Sequence, residues 1–236
     1  MRNNKGLLSL APVYALVLAG FVVIASIGNR VVTTMTEFAD RKSRHIVIID
    51  PGHGGEDGGA TSCTGILESK LNLDIAIRLN DMMHLLGADT IMIRQTDCSV
   101  YTYGETIAQK KVSDLRERVR VVNEVDSAVL VSIHQNTFPD EQYWGSQVFY
   151  SNTAGSKELA AKIQVQLQES LLPENNRKCK QAKGIYLMEN IQCTGILLEC
   201  GFISNPEEER RLRSDQYQKE MCAVIASVVV NFLQVL

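Results

Sequence analysis

The sequence predicts an α/β fold, a single domain with a mostly parallel (mixed), twisted sheet of about six strands and helices on both faces. Two observations indicate this fold. Short apolar runs rich in β-branched residues alternate with amphipathic segments at helical spacing. In addition, 45% of the 236 residues are hydrophobic, which is enough to form one sizeable core.

The first predicted strand covers about 45–50, and Pro51 ends it because proline has no N–H to donate to a sheet ladder. A loop with five glycines follows at 52–59, and His53 lies inside it. Open α/β sheets bind their ligands just beyond the carboxyl ends of strands. A lone histidine in a turn is more often incidental, so His53 becomes a candidate only in combination with other residues.

A helix is predicted from about Glu68 to Leu86, because apolar residues recur there at steps of three and four. Taken alone, Glu68 is better explained as an acidic residue that stabilises the start of the helix dipole. A second strand is predicted at about 89–94, followed by a polar loop at 95–110.

The rest of the chain continues the alternation of strands and helices. Strands are predicted at 128–133, 146–150, 185–188 and 194–198, and helices at 111–124, 156–171, 206–213 and about 216–236. His134 directly follows the first of these strands and Glu199 directly follows the last. The first turns of the final helix carry charged residues, which is not typical of a membrane span.

Three side chains with metal or proton-transfer chemistry therefore stand at predicted strand ends: His53, His134 and Glu199. In a wound sheet such ends lie along one edge, and Glu68 begins the helix that follows the glycine loop, so the four side chains are expected close together. Two imidazoles and one carboxylate form the His₂Glu set that leaves one position open on zinc. The other carboxylate would then be available as a general base.

Several other classes of function are disfavoured. The formal net charge of −3 gives no general attraction to nucleic acid. Six cysteines occur without a C-x-x-C pair, which argues against a cysteine zinc site. Neither a G-x-S-x-G nor an H-E-x-x-H motif is present. Cys200 is a poor nucleophile candidate, because neighbours in a strand point to opposite faces, so Cys200 and Glu199 would not both face one cleft.

The N-terminus is predicted to be a targeting segment. Arg2 and Lys5 precede an uncharged, mostly apolar run of about twenty residues, which indicates a membrane segment with its basic end inside. Residues 1–28 are interpreted as a signal-anchor or a cleaved signal peptide, with the anchor favoured, and 29–44 as a linker. The catalytic domain, 45–236, is expected to be exported, either membrane-anchored or secreted.

These motifs together resemble the zinc-dependent N-acetylmuramoyl-L-alanine amidases of the amidase-3 family. The resemblance rests on Asp-Pro-Gly-His-Gly-Gly at 50–55, Glu68, Ser-Ile-His-Gln-Asn at 132–136 and Glu-Cys-Gly-Phe-Ile-Ser-Asn at 199–205, and it covers about 45–236. Within the family the chain most resembles the amidases that act on spore cortex peptidoglycan in sporulation and germination.

The resemblance implies a set of roles and partners. One zinc ion per chain would be held by His53, Glu68 and His134, with Glu199 as the catalytic base and Asn136, Gln135 and Arg94 as substrate contacts. The reaction would cleave the amide between N-acetylmuramic acid and L-alanine, a step towards muramic-δ-lactam, in the intermembrane space of the forespore. Peptidoglycan, the membrane and an accessory protein are the implied partners. Two alternatives stay open: a peptidoglycan-binding module without catalysis, and a zinc peptidase that cuts within the stem peptide.

Overall fold

A six-stranded sheet forms the centre of the computed structural model, which describes residues 45–236. The strands are β1 (Ile46–Pro51), β2 (Thr90–Met92), β3 (Ala128–Asn136), β4 (Gln147–Tyr150), β5 (Lys180–Gln181) and β6 (Thr194–Phe202). They lie in the order β2-β1-β3-β6-β4-β5. The predicted membrane segment at 1–28 and the predicted linker at 29–44 lie outside the described residues.

The sheet is mixed, as predicted. Strands β2, β1, β3 and β6 pair in parallel, whereas β4 is antiparallel to β6 and parallel to β5. The central strands β1 and β3 are almost entirely buried over their apolar parts. A continuous apolar strand is expected where helices cover both faces of a sheet.

Six helices surround the sheet within the described residues. They are α1 (Glu68–Leu85), α2 (Ile107–Asn123), α3 (Ser156–Ser170), α4 (Tyr186–Asn190), α5 (Pro206–Leu212) and α6 (Asp215–Leu233). Helices α1, α3 and α6 pack on one face, where Ile75, Ile163 and Ile225 are fully buried against the sheet. Helices α2 and α4 cover the other face with Val122 and Leu187. The predicted α/β fold with helices on both faces is therefore confirmed.

Several predicted elements differ from the structure. Strands β3 and β6 extend beyond the predicted 128–133 and 194–198, so His134 and Glu199 lie within these strands and not after them. The helix predicted at 111–124 begins at Ile107, because Thr106 and Gln109 form a capping box that starts it earlier. The prediction of a strand at 185–188 was wrong, since this segment belongs to helix α4. A four-residue apolar run has no periodicity that separates a strand from a short helix. No helix within 45–236 has both the length and the apolar character needed to cross a membrane.

The carboxyl ends of β1, β3 and β6 lie side by side at one edge of the sheet. Asp50 is in register with Ser132, and His134 is in register with Glu199. An irregularity in the pairing of β3 with β6 follows His134. The strand ends on which the candidate residues were predicted are therefore adjacent in space.

Candidate metal centre

Three side chains from different elements meet at the carboxyl ends of β1 and β3: His53 follows β1, His134 lies near the end of β3, and Glu68 begins α1. One nitrogen of His53, one nitrogen of His134 and a carboxylate oxygen of Glu68 all lie within 4.8 Å of one another. His53 Nε2 is 3.3 Å from Glu68 Oε2, and His134 Nδ1 is 3.0 Å from Glu68 Oε1. The Glu68 carboxylate thus lies between two imidazoles whose ring centroids are 5.0 Å apart.

The carboxylate of Glu68 is buried but well supplied with donors. Ala60 N donates to Oε2 at 3.0 Å, and Gln135 N and Asn72 Nδ2 donate to Oε1 at 3.1 and 3.3 Å. Burial alone would raise its pKa, but the hydrogen bonds and charges of His134 and His53 outweigh burial, and the pKa lies well below its usual value. Glu68 is therefore a buried anion, a suitable partner for a cation.

His53 is held by a second carboxylate on its other side. Its backbone has a φ of 60°, which a non-glycine residue rarely adopts. Its Nδ1 lies 2.9 Å from Asp57 Oδ2, so Nε2 is directed to Glu68. Burial lowers the pKa of His53, but hydrogen bonds to Glu68 and Asp57 raise it overall to about 9. A carboxylate behind an imidazole is the usual second partner of a metal-binding histidine.

Two glycines of the loop allow this close packing. A Cβ atom on Gly52 would lie 2.2 Å from His134 Nε2. A Cβ atom on Gly59, whose φ is +67°, would lie 2.6 Å from Glu68 Oε2. Any side chain at either position would displace a candidate metal ligand, so glycine is required at both by the packing of the centre.

Two buried arginines hold the backbone of the loop. Arg118 is 2% exposed, forms an ion pair with Asp50 and donates from Nη2 to His53 O at 2.8 Å. Arg94 is 3% exposed and donates from Nε to Pro51 O at 2.9 Å and from Nη2 to Gly52 O at 2.9 Å. These contacts fix the backbone where the glycine loop leaves β1.

The structure corrects two of the three predicted substrate contacts. Arg94 is buried beneath the loop with its donors occupied by carbonyl groups, so it cannot reach a substrate. Gln135 is 3% exposed, and its Nε2 donates to Asn72 Oδ1 on α1 at 3.1 Å. It follows His134 in β3, and strand alternation directs it to the opposite face. Asn136 is half-buried at the end of β3, and its contact with substrate stays a prediction.

Glu199 lies beside the three-residue centre without belonging to it. It is opposite His134 in the register of β3 and β6, and its Oε2 is buried without a hydrogen-bond partner in the described residues. Burial raises its pKa to about 7, with Glu68 also raising it and the two imidazoles lowering it. A carboxyl group with a pKa near neutrality is suited to taking and returning a proton.

Asp57 is a functional candidate that the sequence interpretation missed. An acidic residue four positions after His53, within the same glycine loop, was the available signal. Because its carboxylate orients the imidazole, we expect Asp57→Asn to weaken the binding of a divalent metal about 10- to 100-fold while the fold is retained. Competition with a chromophoric chelator measures this affinity.

The matched control for this substitution is Glu56→Gln. It removes the same charge one residue earlier, where the carboxylate is exposed and pairs with Lys110 at 2.8 Å. Equal metal affinities of the two variants would show that Asp57 does not support the metal centre.

Comparison with known proteins gives a consistent result. The sequence model described as N-acetylmuramoyl-L-alanine amidase (Amidase_3) matches residues 47–231. The germination-specific N-acetylmuramoyl-L-alanine amidase of Bacillus subtilis (strain 168) is 36% identical over 192 residues, which are 80% of this chain and 80% of that protein.

Solved structures agree with the sequence matches. The CwlD amidase from Clostridioides difficile, solved in complex with the GerS lipoprotein, has a TM-score of 0.77 at 33% identity, over 81% of this chain and 99% of that chain. An N-acetylmuramoyl-L-alanine amidase from Clostridium difficile 630 has a TM-score of 0.69 at 29% identity, over 81% and 98% of the two chains.

Proposed function

The chain belongs to the N-acetylmuramoyl-L-alanine amidase family and is an amidase of peptidoglycan, and we propose that His53, Glu68 and His134 hold its one zinc ion while Glu199 is the general base. The observation that carries this proposal is the ionised Glu68 carboxylate buried between two imidazoles. The second carboxyl group, that of Glu199, lies beside Glu68, has a pKa of about 7, and has no hydrogen-bond partner for its Oε2 among the described residues.

The three donors suit zinc. Two imidazole nitrogens and one carboxylate oxygen form a donor set used by zinc hydrolases, with a further position left for water or substrate. When bound, zinc supplies Lewis-acid chemistry, because it polarises a carbonyl group and lowers the pKa of a water molecule. The charge of Glu68 compensates half the charge of the ion, and Asp57 keeps the Nδ1 proton of His53 so that Nε2 is free to coordinate.

Glu199 supplies the proton transfers in this proposal. As a carboxylate it accepts a proton from the attacking water, and as a carboxylic acid it returns that proton to the leaving amine nitrogen of L-alanine. Its raised pKa favours both forms near neutral pH. No protein donor among the described residues uses its Oε2, so a structural hydrogen bond does not occupy that oxygen.

We place the reaction in the spore cortex. The similarity to a germination-specific amidase supports this setting. Removal of the stem peptide would leave a muramic acid residue that a different enzyme converts to muramic-δ-lactam. The catalytic domain at 45–236 would act outside the cytoplasm, in the intermembrane space of the forespore, with 1–28 as the membrane anchor or signal peptide and 29–44 as the linker.

An accessory protein is part of this proposal. The CwlD amidase of Clostridioides difficile was solved in complex with a lipoprotein. We propose that a partner of the same general kind assists this enzyme. We also propose that the enzyme binds peptidoglycan by specific contacts, because its net charge of −3 gives little general electrostatic attraction.

Mass spectrometry of digested cortex peptidoglycan tests the proposed function. We expect stem peptides with a free N-terminal L-alanine, loss of these products with a chelator, and their return when zinc is added back. Shortened stems still attached to the glycan would instead indicate a zinc peptidase. Absence of all products, with binding to the polymer retained, would indicate a peptidoglycan-binding module.

A further inference from the structure

A cavity beside the two imidazoles has no role in the proton-transfer scheme above. It has a volume of about 250 Å³, and both His53 and His134 line it. Its apolar wall comes from both sides of the cleft: Leu115 of α2, Ile185 and Leu187 at α4, and Leu197 of β6. The volume is below the ~300–1,000 Å³ of pockets that enclose drug-sized ligands, so it suits a short stretch of peptide.

The charged groups around this cavity differ in how completely they are paired. Arg118 is buried, and its guanidinium is used by Asp50, by Asp114 at 2.6 Å and by the carbonyl of His53 at 2.8 Å. Lys111 is different, because its side chain is 50% exposed and Nζ contacts Asp57 Oδ1 at 2.8 Å. An ammonium group has three donors, so Lys111 can bind a further anion at the rim of the cavity.

We propose that this cavity binds the start of the stem peptide, with L-alanine against the apolar wall and Lys111 paired with a carboxylate on the residue that follows. The inference rests on the proposed function and names the part of the substrate that this side of the centre recognises. The carboxylates that line the cavity are already paired: Asp50 and Asp114 with Arg118, and Asp57 with His53 and Lys111. Peptide is favoured over glycan because the Lys111 ammonium group has donors left beside an apolar wall, whereas the sugar backbone carries hydroxyl groups and no charge. The lactyl carbonyl then lies next to the imidazoles.

Two soluble muramoyl peptides test this assignment. They differ only in the second residue of the peptide, which carries either a free carboxylate or the corresponding carboxamide. With zinc-loaded, full-length protein we expect kcat/KM to favour the carboxylate about fivefold, the effect of one exposed ion pair. Lys111→Met should remove this preference through a higher KM for the carboxylate substrate. Calorimetric binding of the two free product peptides should show the same difference.

Lys110→Met is the matched control. Lys110 is the preceding residue, pairs with Glu56 and does not line this cavity, so this variant should keep the preference for the carboxylate. An equal decrease of kcat/KM on both substrates in Lys111→Met would overturn the inference, because it would show that Lys111 acts only by supporting Asp57. Equal cleavage of both substrates by the wild type would overturn the inference alone. No cleavage of either would overturn the proposed function and the inference with it.

Discussion

Replacement of Glu68 by alanine is expected to remove most of the bound zinc and to reduce amidase activity to background. The substitution deletes the anionic member of the proposed ligand set, and the two imidazoles lose the carboxylate that lies between them. The loss of affinity should exceed the ~10- to 100-fold typical of outer-sphere changes, because a direct ligand is removed. Zinc content after dialysis, measured by mass spectrometry of the metal, gives the result independently of activity.

A helix-dipole role for Glu68 is tested by a matched variant. Glu158 is also an acidic residue in the first turn of a helix, α3, where it forms an exposed ion pair with Lys162 at 2.7 Å. Glu158→Ala removes the same group from an equivalent position, and its zinc content should equal that of the wild type. Full zinc occupancy in Glu68→Ala would leave Glu68 as a helix-stabilising residue and would contradict the assignment.

The sequence was informative about the centre because each candidate lies at or just after the carboxyl-terminal part of a strand, or begins a helix. Apolar runs locate strands well, and the carboxyl ends of parallel strands must meet, so His53, His134 and Glu68 could be brought together without coordinates. The alternation of side chains in β6 was equally informative. Cys200 is completely buried and burial raises the pKa of its thiol, whereas Glu199 beside it faces the centre.

The errors have a common physical origin. The family resemblance implied that Arg94 contacts substrate, but four carbonyl groups of the loop region use its donors. Irregular loops leave carbonyl groups unpaired, and a buried guanidinium can satisfy them. Such contacts depend on the path of the loop in space, which periodicity does not encode. The same applies to Asp57 and Lys111, whose roles depend on how α2 approaches the glycine loop.

Glu199→Gln is expected to separate catalysis from metal binding. The amide has the shape of the carboxylate but cannot accept the proton of the attacking water, so kcat should fall about 10²- to 10⁴-fold while zinc content stays unchanged. Glu208→Gln is the matched control. Burial also raises the pKa of Glu208, but its Oε2 accepts from Gly145 N and Phe202 N, a role that an amide oxygen can keep. Its kcat should stay close to that of the wild type.

The pH dependence of the stability of the zinc-free protein gives a second, independent measure of the raised pKa of Glu199. Because the folded protein raises the pKa of this carboxyl from 4.5 to about 7, the folded state binds its proton more tightly than the unfolded state does. The contribution of Glu199 to stability is therefore lost as pH rises between those values. Glu199→Gln removes this loss, so the melting temperature of the zinc-free variant should exceed that of the wild type at pH 8, and the difference should vanish near pH 4.5. A variant that cleaves at the wild-type rate, or a melting difference independent of pH, would contradict a buried, proton-exchanging carboxyl group at this position.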